Sequence, residues 1–158
     1  MVSLAARLYF FAFVTLFVLH AVAADVPPKP PRYSNVMNWT AAGAIALALA
    51  VMIGAFGAHG LRGHLDDYSM TVYERAVFYH FIHALGILIV SVSMPARGGK
   101  WVCALLLAGI VLFSGSLYAL ALTGNRMLGA ITPIGGVSFI AAWTLLAITA
   151  TRSPTPKP

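Results

Sequence analysis

Charge is what this sequence has least of. Of its 158 residues 9% are charged and only four are acidic, whereas 60% are hydrophobic. A soluble domain carries about 25% charged and about 45–50% apolar residues, and a soluble fold of this size could not hide the excess. The composition excludes a water-soluble globular domain, and its apolar content excludes a disordered chain. Cysteine occurs once, at Cys103 within an apolar run, so an internal disulfide is excluded. The chain also lacks a Ser-His-Asp spacing, a P-loop, a dinucleotide fingerprint, a His-Glu-x-x-His pattern and cysteine pairs. No catalytic residue, metal ligand or cofactor is expected, and the chain is read as not an enzyme.

The charge that is present is mostly basic: ten Lys and Arg against four acids, a net charge of +6. Nucleic-acid binding would need these residues clustered on one face. Instead they stand singly or in pairs at the ends of apolar runs, as helix anchors at phospholipid headgroups do. The expected partner is the lipid bilayer and not nucleic acid.

A membrane-spanning helix needs about 20 predominantly apolar residues. Four runs qualify, Trp39–Ala58, Ala76–Met94, Trp101–Leu122 and Leu128–Thr149, and none contains Asp, Glu, Lys or Arg. The fold class expected is all-α, an integral membrane four-helix bundle with an additional N-terminal hydrophobic leader helix. The leader, residues 1–24, reads as a signal peptide: Arg7, an apolar stretch from Leu8 to Leu19, then small residues at 21–24. A retained span or anchor and a mitochondrial presequence are the other readings of it. A Pro-rich linker (25–38), the four-span domain (39–151) and a polar tail (152–158) complete the chain. One face would hold Lys29, Arg32, Arg97, Lys100, Arg152 and Lys157, the other Arg62, Arg75 and Arg126. Positive-inside bias puts the first face inside, whereas a cleaved secretory signal puts it outside, so orientation stays open. A plasma membrane and the mitochondrial inner membrane are both compatible with the sequence.

In lipid, helices associate by close packing, so small residues mark contact faces. Gly54 and Ala58 form a small-xxx-small pair, and Gly54, Gly57 and Gly60 recur every third residue. Gly109 and Gly115 in the third run, and Gly129, Gly135 and Gly136 in the fourth, extend this packing set. These faces bury against one another or join a homo-oligomer or larger membrane complex. Pro133 removes a backbone donor and crowds the carbonyl of Gly129, which predicts a kink over 129–136.

Polar residues collect towards one membrane face. His80 and His83 share a helix face at i, i+3. At about 1.5 Å per residue, His80, Tyr118 and Thr132 share a depth, and Ser114 lies near that of His83. With His59 these form a candidate polar layer. Ionisable residues inside a span are costly and suggest function by default. Three readings stay open. Neutral histidines bonded to Tyr118, Ser114 and the Gly129 carbonyl could fix the bundle's register; His59, His80 and His83 could bind metal or haem; or the layer could carry protons or a small solute. Asp66, Asp67 and Ser69 read as a cap on the helix that enters the second run, because carboxylates suit its positive end.

Several segments resemble one family. Gly57-Ala58-His59-Gly60 and Tyr79-His80-Phe81-Ile82-His83-Ala84-Leu85 come first. Next in order are Leu112-Phe113-Ser114-Gly115-Ser116-Leu117-Tyr118, Ala121-Leu122-Thr123-Gly124, Leu128-Gly129-Ala130-Ile131-Thr132-Pro133-Ile134-Gly135-Gly136 and Trp143. Together they resemble the transmembrane protein 256 family across residues 39–149. The resemblance implies a small four-helix membrane protein with a domain of unknown function, and it carries no catalytic residues. The leader and linker, residues 1–38, depart from the family's pattern. The function expected is a non-enzymatic structural or accessory membrane component packing through Gly/Ala-rich faces. The alternatives are a small-solute or proton transporter using His80, His83 and Tyr118, and a haem- or metal-binding membrane protein.

Overall fold

The structure, a computed structural model, describes residues 38–94 and 97–151 and four single leader positions, Ala12, Phe13, Leu16 and His20, which are helical and exposed. The leader's remaining residues, the linker 25–37 and the tail 152–158 lie outside the described residues, and with them the cleavage expectation. Among the described residues four helices are long and apolar enough to cross a membrane: α1 (Trp39–Leu61), α2 (Asp67–Ser93), α3 (Gly98–Thr123) and α4 (Arg126–Thr151). The shortest has 23 residues, which at about 1.5 Å per residue exceeds the roughly 30 Å hydrocarbon core. Consecutive helices pack in sequence, α1 on α2, α2 on α3 and α3 on α4. The two middle helices are 39% buried along their apolar windows, the outer α1 and α4 only 22% and 17%. Lipid is therefore the main neighbour of the outer pair.

The helix ends follow local chemistry. Asn38 caps α1 by accepting the Ala41 amide at 3.1 Å. Asp66 accepts the Ser69 amide at 2.7 Å and starts α2 nine residues before the apolar run at Ala76. The expected cap is thus present, and it carries the helix out past the hydrocarbon. The Ser69 hydrogen bonds hold the exposed Asp66 carboxyl below its ordinary pKa of 3.8. A depressed carboxyl stabilises above its unfolded value, and that contribution disappears as pH falls through the folded one. Asp66→Ala should therefore speed amide exchange at Ser69 and Met70 at neutral pH. The parent chain should match the variant only in strong acid. At the far end of α3, Gly124 adopts φ +68° and returns its N–H to the Leu120 carbonyl at 2.9 Å, a left-handed stop that suits glycine. At the other face, Lys100 sits 5.3 Å over the Trp101 ring, an anchor of charge and indole at headgroup level.

The fourth helix corrects one expectation. Residues Arg126–Ala130 form a tight 3-10 segment, capped by Asn125, and the α-helical part begins at Thr132. Pro133 therefore lies in a first turn, where its missing N–H leaves no helical bond unmade. The expected kink thus coincides with the change from 3-10 to α-helical bonding, at the start of the α-helix.

Two turns are widened to i→i+5 bonding, Gly57–Leu61 in α1 and Ile110–Ser114 in α3. A widened turn holds an extra residue and shifts the rotational phase of the helix beyond it. Gly57 lies against the Tyr73 ring, Gly109 against the Phe139 ring, and Gly135 directly on the Phe113 backbone. Gly54 approaches Val77, with a Cβ there 3.1 Å away, while Gly129 and Gly136 make ordinary contacts at 3.8 Å to Leu120 and Phe113. Three expected packing residues do not join helices. Gly60 is covered by Phe56 of its own turn, Gly115 has nothing within 4 Å of an added Cβ, and Ala58 is exposed. Gly43 and Gly86 do join helices: a Cβ on Gly43 would stand 2.9 Å from the Leu88 amide, and one on Gly86 would stand 2.9 Å from the Trp143 indole.

Candidate functional site: a ladder of polar ties

The core between α2, α3 and α4 is apolar, with Ile87, Val102, Cys103 and Leu106 fully buried and Phe139 nearly so. Into it project His80 and His83, 5% and 6% exposed, which is where a membrane histidine needs a partner. His80 Nδ1 meets the Tyr118 hydroxyl at 3.3 Å, joining α2 to α3. Tyr118 in turn packs against Tyr73, ring centroids 5.2 Å apart, and the Tyr73 hydroxyl donates to the Ile53 carbonyl of α1 at 2.8 Å. The shared depth of His80 and Tyr118 inferred from helical rise is thus a direct contact.

His83 is arranged differently from the expectation. Its Nδ1 lies 2.7 Å from the carbonyl of Tyr79, one turn back on the same helix, and does not bond Ser114. A carbonyl only accepts, so Nδ1 carries the proton. The imidazole stacks on Phe139, centroids 3.4 Å apart and planes at 12°, with Tyr79 nearly parallel on it at 5.8 Å. Trp143 and Phe113 complete the ring cluster. His83 therefore behaves as a flat core ring with one internal tether.

Thr132 also has another partner than expected. Its hydroxyl donates to that of Ser116 at 2.8 Å, since the one Ser116 proton goes to the Phe113 carbonyl at 3.0 Å. This joins α3 to α4 without reaching Tyr118 or His80. The Nδ1 atoms of the two histidines bond Tyr118 and the Tyr79 carbonyl, and not the Gly129 carbonyl. His59 is exposed on the widened turn of α1, whereas His80 and His83 are buried. Among the described residues no group of three or more His, Cys, Asp or Glu comes together in a metal-holding arrangement.

Ser114 is fully buried, and among the described residues its Oγ is the buried side-chain oxygen or nitrogen without a hydrogen-bond partner. It ends the widened turn of α3, where the backbone bonds run to the fifth residue: the Gly115 amide donates to the Ile110 carbonyl. An unmatched buried hydroxyl costs about 1–3 kcal/mol. Ser114→Ala should therefore raise stability by about 1 kcal/mol, read as a higher unfolding midpoint in detergent. A drop would assign Ser114 a bonded role.

Other ties complete the pattern, and composition gave little sign of them. Thr40 and Ser91 share a hydrogen bond of 3.1 Å between α1 and α2. The Cys103 thiol points at the Ile87 carbonyl at 3.7 Å between α3 and α2. Ser138 of α4 donates to the Leu105 carbonyl of α3 at 2.8 Å. With Tyr73–Ile53, His80–Tyr118 and Ser116–Thr132, each consecutive helix pair thus has at least two polar ties among the described residues. Tyr73 could have been found from sequence, since it lies seven residues before His80 on one helical stripe.

Comparison with known proteins agrees with this architecture. A family described as a protein of unknown function, DUF423, matches residues 53–136, a segment that holds every member of the candidate layer. A UPF0382 membrane protein of Staphylococcus haemolyticus is 52% identical over 108 residues, covering 67% of this chain and 88% of the relative. UPF0382 membrane protein YwdK of Bacillus subtilis is 46% identical over 117 residues, covering 70% and 93%. No solved structure matches the chain. The four spans, the matched segment and the relatives agree: the chain belongs to the DUF423 family and is a multi-pass membrane protein.

Proposed function

We propose that the chain is a non-enzymatic accessory component of a plasma membrane, a stiff bundle that self-associates or docks on a larger complex. The observation that carries this reading is the ladder of ties. Polar groups of the spans, including His80, His83, Ser116 and Thr132, are engaged within the bundle, holding one helix to the next or a ring to its own turn. Each tie is worth about 0.6 kcal/mol in lipid, enough in sum to fix helix register. What the bundle presents outward is apolar: Ile45 and Val51 on α1, and Ile134, Val137 and Ile140 on α4. The bacterial relatives favour the plasma membrane over the mitochondrial inner membrane. The similarity to the transmembrane protein 256 family belongs to the same reading, because the quoted segments from Gly57 to Gly136 lie inside the DUF423 match. The signal-like leader is part of it too; an intact Met1 in the mature protein would remove that part.

Native purification in mild detergent with mass analysis tests the proposal. A fixed partner or defined oligomer is expected, with no visible absorbance band and no proton flux in liposomes. A stoichiometric metal or haem, or a flux abolished by His80→Ala, would replace it.

A further inference from the structure

At the rim of the bundle, a cleft of about 110 Å³ opens between α1 and α2. Gly54, Gly57 and Ala58 line it from α1. Met70, Tyr73, Glu74 and Val77 line it from α2, at the i, i+3, i+4, i+7 positions of one helix face. The cleft exists because the α1 side carries almost no side chain, and because the widened turn at 57–61 ends the close approach begun at Gly43. Its one charged group is Glu74, an exposed carboxylate with no hydrogen-bond or ion-pair partner among the described residues. The Tyr73 hydroxyl is committed to the Ile53 carbonyl. An acidic group in a cleft is unusual in a chain with four acids and a net charge of +6. It stands two residues before the apolar run that starts at Ala76, at the level of phospholipid headgroups.

We infer that this cleft takes the primary ammonium group of an ethanolamine-type phospholipid. Three features set the ligand chemistry. The carboxylate calls for a cation, and for one with N–H donors, since only these make charge-assisted hydrogen bonds; a trimethylammonium group has none. The space is small: at about 110 Å³, against the roughly 150 Å³ that holds benzene, it admits a two-carbon ammonium group. Arg75, next to Glu74 in sequence and exposed though outside the cleft's lining, carries a fork that suits a phosphate at the same headgroup level. The apolar Met70 and Val77 sides of the cleft suit the carbon atoms between.

The test uses the full chain in nanodiscs containing equal amounts of phosphatidylethanolamine and phosphatidylcholine in a phosphatidylglycerol background, with retained lipid identified by native mass spectrometry. Phosphatidylethanolamine should be enriched about threefold over phosphatidylcholine, the ratio a partly exposed ion pair supports. The enrichment should vanish in Glu74→Gln, which removes the charge. It should vanish also in Ala58→Leu, which fills the cleft and leaves the carboxylate in place; both residues are exposed, and unchanged helicity and unfolding midpoint confirm that each variant folds. Millimolar free ethanolamine should leave the lipid bound. Displacement by it would overturn the lipid as occupant in favour of a soluble amine. Equal retention of the two lipids, or enrichment that survives both substitutions, would overturn the site itself, as would a polypeptide retained in place of lipid.

Discussion

Gly135→Ala should lower the stability of the bundle by about 3 kcal/mol, the upper end of what overpacking costs. A methyl group at Gly135 would collide with the amide nitrogen, Cα and Cβ of Phe113. Two of these atoms are backbone, so no rotamer change relieves the contact and α4 must move off α3. That movement stretches the Ser116–Thr132 bond and loosens Phe139 against Gly109. The same substitution at Gly115 makes the control. Nothing lies within 4 Å of a Cβ there, and φ has an ordinary helical value of −60°. Gly115→Ala should raise stability by about 0.5–1 kcal/mol, the gain of alanine over glycine in a helix. Unfolding of the two variants by sodium dodecyl sulfate in mixed micelles, followed by circular dichroism, reads both. Equal effects would mean that α3 and α4 do not touch through Gly135.

Phe139→Ala should be the second most damaging change, at about 2 kcal/mol. In soluble cores removal of a phenylalanine costs about 3–5 kcal/mol. Part of that is transfer from water, which falls away when the competing environment is lipid; the cavity part remains. Phe139 is 4% exposed, and its ring covers the His83 imidazole at 3.4 Å and fills the gap left by Gly109. Truncation strips one face of a buried imidazole as well as opening a void. Phe139→Leu restores most of the volume and should cost less than about 1.5 kcal/mol. Trp143, 6.0 Å from His83, gives a fluorescence signal of the rearrangement.

Much of the fold is legible in the chain. Uninterrupted apolar runs mark the four spans, since lipid leaves helices no other way to satisfy their backbone. Asp66 marks the start of α2 because a carboxylate two residues before Tyr68 and three before Ser69 is a capping pattern. Counting residues from the helix ends brings His80 level with Tyr118, because rise depends only on sequence distance.

Rotation and pairing are less legible. The widened turns at 57–61 and 110–114 have no signature in composition, yet Ala58 and His59 lie exposed on the first, and the buried Ser114 hydroxyl at the end of the second has no hydrogen-bond partner among the described residues. Gly43 and Gly86 are ordinary small residues until Leu88 and Trp143 are known to lie across from them. Pro133 looks like a mid-span kink because Leu128–Ile131 is as apolar as the helix after it; only the 3-10 bonding of 126–130 shows that the α-helix has not yet begun. Hydropathy counts residues entering lipid and is blind to the hydrogen-bonding pattern they adopt there.

His80 and Tyr118 form the central tie of the ladder, holding α2 to α3. A double-mutant cycle with His80→Phe, Tyr118→Phe and the pair, read by unfolding in mixed micelles, measures that tie directly. A favourable coupling of about 0.6 kcal/mol, the usual worth of a hydrogen bond between membrane helices, is the expected result. Strictly additive single effects would contradict it and return the two side chains to a role other than holding the bundle together.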